Sequence, residues 1–239
     1  MADIITVKNL TKNYGKLTAL NGVDLTVKDR ECFALIGLNG AGKTTFINVV
    51  TTLLSYDKGE VLIDGIDLLK NPFEIKKIIN VSPQESAVCK NLTVEENLAL
   101  IVDLYQLQDG KQKIEQVIKE FQLEQKRKVL AKKLSGGQLK RLSIALAVIT
   151  EPKILFLDEP TLGLDVMARR KLWEVIKEQK SKRTVFLTTH YLEEVENLTD
   201  RVAIISAGKI KATGSVQEIL TLTGKSTLEE AFISLAEVE

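Results

Sequence analysis

The chain predicts an α/β fold with parallel strands at its centre, and three observations carry this. The apolar run Cys32-Phe33-Ala34-Leu35-Ile36 passes through Gly37-Leu38-Asn39-Gly40-Ala41-Gly42-Lys43-Thr44 into Thr45-Phe46-Ile47-Asn48-Val49-Val50, which has helical apolar spacing. A second run, Ile154-Leu155-Phe156-Leu157, is apolar throughout, as a strand covered on both faces requires, and it ends in Asp158-Glu159-Pro160. A third, Thr184-Val185-Phe186-Leu187-Thr188-Thr189, ends in His190, the single histidine of the chain. Ligands of parallel α/β sheets bind at the carboxyl ends of strands, where all these polar residues stand.

The glycine-rich segment has the pattern of a phosphate-binding loop (P-loop). Glycines let the backbone curl so that successive N–H groups point at an anion. The helix that follows adds unpaired N–H groups and the positive end of its dipole. Lys43 reaches β- and γ-phosphates as a compact charge, and the Thr44 hydroxyl suits Mg²⁺. Gly37, Asn39, Gly40, Ala41, Gly42, Lys43, Thr44 and Thr45 are therefore read as the loop that meets a nucleotide. A glycine-rich turn capping a core helix is the plain alternative, and the full strand–loop–helix pattern disfavours it.

At 239 residues the chain suits one large domain or two small ones, with 44% hydrophobic and 27% charged content. A net charge of +1 gives no reason to expect nucleic acid. Cys32 and Cys89 match no metal or redox spacing, which fits a reducing cytosol. The first residues, Met1-Ala2-Asp3-Ile4-Ile5, do not read as a signal peptide, and apolar stretches such as Ile144–Ile149 are too short to span a bilayer.

Taken in order, residues 4–36 read as strands. Val23, Leu25 and Val27 alternate with polar neighbours after an Asn21-Gly22 turn signal, as a half-buried antiparallel strand would. Tyr14-Gly15 falls in a loop between strands. A hairpin is expected over 59–69, turning at Asp64-Gly65. The run from Ile78 to Gln84 is strand-like and ends in a loop. Thr93-Val94-Glu95-Glu96 is a capping box, and residues 94–130 read as helical with Ile114, Val117, Ile118 and Phe121 on one stripe. The cluster Lys126-Arg127-Lys128 reads as a solvated face, and the segment around Val88 and Leu92 as a surface without a core role.

Leu134-Ser135-Gly136-Gly137-Gln138 interrupts that region and opens another helix. Ser135 with Gln138 reads locally as a capping box, while the paired glycines leave N–H groups open as a second anion site. Asp158 and Glu159, alternating across their strand, are expected to take different tasks: holding Mg²⁺ and poising a water. Further on come a strand over 201–205, a hairpin at Gly208-Lys209, a capping box at Ser215, and a last helix with Leu228, Ala231, Phe232 and Leu235 on one face.

These motifs together resemble the nucleotide-binding subunit of an ATP-binding cassette (ABC) transporter, over nearly the whole chain. They stand in family order: the aromatic loop at Tyr14, the P-loop at 37–44, Gln84, the signature 134–138, Asp158-Glu159, Leu164-Asp165 and His190. The resemblance implies a P-loop NTPase core, an N-terminal antiparallel β subdomain (about 1–35 and 55–70) and an inserted helical subdomain (about 85–150). The cassette would end near residue 220, with 221–239 as a helical extension.

It also implies roles. Tyr14 stacks on adenine, Lys43 meets phosphate, and Mg²⁺ is held by Thr44, Gln84 and, mostly through water, Asp158. Glu159 polarises the attacking water and His190 contacts the γ-phosphate. Ser135, Gly136, Gly137 and Gln138 of a second subunit close on the nucleotide, and Asp165 communicates across the dimer. ATP and Mg²⁺ are the expected cofactors, a homodimer or heterodimer of cassettes the expected assembly, and a membrane permease on the cytosolic face the expected partner. The pattern is similar to single-cassette ATPases of exporters for drugs, polysaccharides, haem-related cargo and sodium. It lacks the regulatory domain of many sugar-importer ATPases. The alternatives are a soluble cassette ATPase acting on DNA or ribosomes, and a nucleotide-binding module without turnover.

Overall fold

The computed structural model describes residues 2–236. Two sheets form it. The first is antiparallel and contains β1 (Asp3–Tyr14), β2 (Leu17–Lys28), β4 (Lys58–Ile63) and β5 (Ile66–Asp67), in the order β2-β1-β4-β5. The second contains β3 (Cys32–Ile36), β6 (Ile79–Ser82), β7 (Ile154–Asp158), β8 (Thr184–Thr189), β9 (Arg201–Ser206) and β10 (Lys209–Gly214), in the order β10-β9-β3-β8-β7-β6. All its neighbours are parallel except β10 against β9. The expected α/β P-loop core, antiparallel sheet and inserted helices are all present.

Every residue of β3, β7 and β8 is buried, which explains the apolar runs Cys32–Ile36, Ile154–Leu157 and Val185–Leu187 at their centres. Strand alternation divides their side chains between two cores. Cys32, Ala34, Ile36, Leu155, Leu157, Val185 and Leu187 face the helices, whereas Phe33, Leu35, Phe156 and Phe186 face the antiparallel sheet. Phe186 is the hub of that second core: its ring lies 5.6 Å from Phe33, 5.7 Å from Phe46 and 5.5 Å from Phe156. Each such buried side chain stabilises the fold by roughly 1.5–3 kcal/mol. Helix α1 (Lys43–Val50) rises directly from the glycine-rich loop and buries Phe46, Ile47, Val49 and Val50 here.

Several expectations change. Asn21-Gly22 is no turn: β2 runs through it, and Gly22 (φ +66°) sits where the pairing register with β1 shifts, as a bulge does. Helix α2 (Pro72–Ile78), opened by proline, fills the stretch between the expected hairpin and the strand-like run, and takes Ile78 from the start of that run. Residues 94–130 are not one helix. The capping box at Thr93 opens α3 (Val94–Leu104), but left-handed Gln106 and Asp109 break the chain before α4 (Gly110–Glu120). Arg127 is no free surface charge, since it bridges Glu95 of α3 at 2.6 Å and Glu115 of α4 at 2.5 Å.

Helix α5 (Gly136–Val148) follows, then α6 (Val166–Lys180), α7 (Leu192–Leu198), α8 (Val216–Thr223) and α9 (Leu228–Ala236). Among the described residues, no helix is long and apolar enough to cross a membrane. Val88 packs against the helical core and Leu92 is half-buried, so this segment is no bare surface. Buried Asn97 explains why. Its amide accepts from Cys89 N (2.9 Å) and donates to the carbonyls of Cys89, Leu92 and Thr93, folding 89–93 onto α3.

The two cysteines differ in environment. Cys32 is buried in β3, where desolvation pushes its thiol up to about 12, while Cys89 is exposed. Maleimide labelling of the native protein near neutral pH is therefore expected to add one label, at Cys89, and a second only in denaturant. Mass spectrometry of the intact chain reads this directly; rapid double labelling of the native protein would contradict the packing around β3.

Candidate active site

The glycine-rich loop is held by close backbone approaches. A Cβ on Gly37 would lie 2.4 Å from Ile205 O, and one on Gly42 (φ +111°) 2.7 Å from Ala19 O. Only glycine fits either place, so β9 and β2 mould the loop from two sides. The β9–β10 turn adds a brace: Gly208 N donates to Ala41 O at 3.1 Å, and Asn21 N donates to Gly208 O at 2.9 Å. Lys43 opens α1 with its side chain buried, and Nζ donates to Gly37 O (2.8 Å) and Leu38 O (3.2 Å). That holds the ammonium beneath the loop's own curve.

The carboxyl ends of β7 and β8 meet this lysine. Thr188 donates its hydroxyl to Asp158 Oδ1, while Glu159 N donates to Thr188 O at 3.1 Å. The two acids separate because Glu159 has left β7 and taken a left-handed conformation (φ +46°), not because they alternate on one strand. Glu159 Oε1 lies 3.7 Å from Lys43 Nζ, and His190 Nδ1–H donates to Glu159 Oε2 at 2.8 Å. Both carboxylates are only 7% exposed. A buried charge persists where ionic and hydrogen-bonding partners replace water, and here Lys43 and His190 do so for Glu159.

A cavity of about 660 Å³ opens over these groups. It brings together Tyr14, Asn39, Gly40, Gly42, Lys43, Thr44, Thr45, Gln84, Glu159 and His190, which lie far apart in sequence. Gly37 and Ala41 shape the loop without lining the cavity, and Asp158, bonded to Thr188, does not line it either. Tyr14 is half-exposed at the end of β1, with Lys12 Nζ 5.6 Å from its ring centre. Sequence reasoning missed Leu17, Thr18, Ala19, Leu162, Ala207 and Gly208 on the wall. Only the turn signal at Gly208 was visible, and nothing local tied it to the loop.

Ser135, Gly136, Gly137, Gln138 and Asp165 do not join this cavity. Ser135, Gly137, Gln138 and Asp165 line a second groove of about 230 Å³ with Arg141, Met167, Ala168 and Lys171. The Ser135 capping box is real: Ser135 N donates to Gln138 Oε1 at 3.1 Å, and Gln138 N donates to Ser135 Oγ at 3.4 Å. Asp165 caps α6 by accepting from Ala168 N at 2.9 Å. Leu162, Val166 and Met167 leave an exposed apolar rim nearby. One chain thus carries a phosphate-type cavity and, apart from it, a polar groove built on two helix N-termini.

Comparison with known proteins agrees with this arrangement. The family model described as ABC transporter matches residues 20–162. A daunorubicin resistance ATP-binding protein of Streptomyces coeruleorubidus is 36% identical over 233 residues, covering 96% of this chain and 74% of its own. A solved ATP binding subunit of an ABC transporter superposes with a TM-score of 0.86 at 32% identity, over 97% of this chain and 99% of the other. A dimeric post-hydrolysis ATP-binding cassette bound to ADP and Pi superposes with a TM-score of 0.79 at 26% identity, over 88% and 98%. The chain belongs to the ABC transporter family. Within it, this is an ATP-binding cassette that hydrolyses ATP for a transporter.

Gly37→Ala tests the moulded loop. The added methyl group collides with backbone rather than a movable side chain, so a loss of at least about 1–3 kcal/mol of stability is expected. ATP affinity should fall with it, as read by melting temperature and nucleotide titration. An unchanged melt with native affinity would contradict the geometry.

Proposed function

We propose that this cassette powers export through a membrane permease, and that its residues divide the work of ATP hydrolysis as follows. The cluster at the cavity, in which buried Lys43 and Glu159 meet exposed His190, is the observation that carries the reading. Lys43 meets the β- and γ-phosphates together with the N–H groups of residues 39–45, and Tyr14 stacks on the base. Glu159 takes the role of polarising the attacking water. His190, already bonded to that carboxylate, orients it and touches the γ-phosphate.

The donors present fit Mg²⁺. The Thr44 hydroxyl and Gln84 amide line the cavity, and the Asp158 carboxylate is oriented by Thr188. These are hard oxygen ligands, few enough to leave places for phosphate and water. Mg²⁺ at this position supplies charge neutralisation across the transferred phosphoryl group.

Ser135 to Gln138 lie outside the cavity of their own chain, so in this reading they complete the site of a second cassette, with Asp165 beside the contact. The cassettes associate as a homodimer or heterodimer around ATP, and hydrolysis separates them. The resistance protein among the relatives supports export as the direction and drug-like cargo as its class. A permease helix docking over residues 84–105 places the cassette peripherally on the cytosolic face of the membrane. Leu104 and Tyr105 are well exposed there, whereas Val88 is packed inward. The division into a β subdomain, a helical subdomain and a C-terminal extension is retained, although α8 runs through the boundary drawn at 220. Near-neutral net charge fits a cassette that does not bind nucleic acid.

Two measurements test this. Lys43→Ala is expected to abolish ATP binding, whereas Glu159→Gln should keep it and lower turnover by roughly a hundredfold or more. A Glu159→Gln protein with near-native turnover would remove Glu159 from its role. In the Glu159→Gln background the subunit should dimerise with ATP, and adding Ser135→Arg should prevent it. Light scattering decides; ATP-driven dimers that persist with Ser135→Arg would place the signature groove outside the interface.

A further inference from the structure

Helix α5 reaches the Gln84 segment through one buried cation. Lys140, on the second turn after the signature, is 6% exposed, and its Nζ donates to Pro83 O at 2.9 Å and Gln84 O at 3.1 Å. Two of its three protons are thereby spent on consecutive carbonyls at the exit of β6. A second link lies just before them, where Ser82 Oγ and Ser143 Oγ are 3.1 Å apart. The surroundings offset the cost of burying an ammonium only in part: Asp158, Glu159 and Glu194 favour the charge, yet desolvation pulls it down to about 8. A lysine serving only as helix surface would not be placed at that cost. Past Gln84, the next side-chain anchor is Asn97, which grips Cys89.

We propose that Lys140 is a positioning residue for ATP hydrolysis. Its ammonium holds the Pro83 and Gln84 carbonyls, aims the Gln84 side chain into the nucleotide cavity, and makes that aim depend on the placement of α5. The same helix carries Gly136, Gly137 and Gln138 at its other groove. Closure of a second cassette on that groove is therefore transmitted to Gln84 along one helix and one side chain. The inference rests on the reading of Gln84 as a nucleotide-site residue.

The experiment is a double-mutant cycle on the full chain, with kcat and KM for Mg-ATP and the melting temperature measured for each protein. Lys140→Met keeps the apolar stem and removes charge and donors. It is expected to lower kcat roughly tenfold, as small misplacements of site groups do. KM should change by less than about twofold, because nothing in the loop at 37–45 is touched. Lys140→Arg should recover most of kcat, since its fork also reaches paired carbonyls. In a Gln84→Ala background, Lys140→Met should cost no more than about a further twofold, since its effect runs through Gln84.

A purely structural lysine would lower the melting temperature but show neither rescue nor that loss of additivity. If Lys140→Met does not fold, Lys140→Gln takes its place in the cycle. The proposal is overturned by an unchanged kcat, or by an equal loss with and without Gln84. A Gln84→Ala protein with wild-type kcat would overturn the reading of Gln84 itself, and the proposal with it. Loss of kcat in Gln84→Ala alone would overturn only the part assigned to Lys140.

Discussion

Three adjacent parallel strands, β7, β8 and β3, are buried at every residue, and the rest of the molecule follows from that. The middle residues of strands covered on both faces are apolar, and polar ones are kept to the strand ends, where they find partners such as Thr188 with Asp158. Chemistry is displaced to where they stop, and they stop together: Ile36 pairs with Thr189, and Asp158 pairs with Thr188. Gly37, Glu159 and His190 consequently emerge side by side. Helices pack on one face and the antiparallel sheet on the other, and the cavity lies at the carboxyl ends of the strands, walled in part by Tyr14, Leu17, Thr18 and Ala19 of that antiparallel sheet.

Within that edge the electrostatics centre on a single carboxylate. Glu159 is as buried as Asp158, but the company differs: Lys43 and His190 for the first, the Thr188 hydroxyl for the second. A left-handed residue at 159 causes the difference, since it turns one acid out of the strand plane while the other stays in register. Such a conformation is costly for a residue with a side chain, and strain of this kind collects where a site must be held in place. Lys43 is held by two carbonyls, so in the role proposed for it the ammonium would need little reorganisation to meet phosphate.

The cavity and the signature groove lie apart on the chain, yet α5 joins them. Its first turn lines the groove and its second turn sends Lys140 to the segment entering the cavity. A packed helix is a stiff body, and a buried ammonium between two carbonyls is a directional contact, so the pair suits transmission better than a loop would. Asn97 and Arg127 do comparable work further out: one folds residues 89–93 onto α3, the other ties α3 to α4.

The sequence alone determined the fold class, the strand–loop–helix around Lys43, the apolar strands ending in Asp158-Glu159 and His190, and the capping boxes at Thr93, Ser135 and Ser215. All of these depend on neighbours within a few residues: periodicity, glycine spacing, or a side chain reaching its own helix. Tertiary structure decided what local patterns do not contain. Asn21-Gly22 became a bulge because β1 supplied a partner ladder, and Arg127 became a bridge because α3 and α4 came together. Val88 turned inward because Asn97 had pinned the adjoining loop. The need for glycine at 37 and 42 came from Ile205 and Ala19, whose carbonyls approach from strands remote in sequence. Lys140 reads as an ordinary helix lysine until β6 is laid against α5, because burial and long-range carbonyl contacts are properties of packing and leave no periodic trace in the chain.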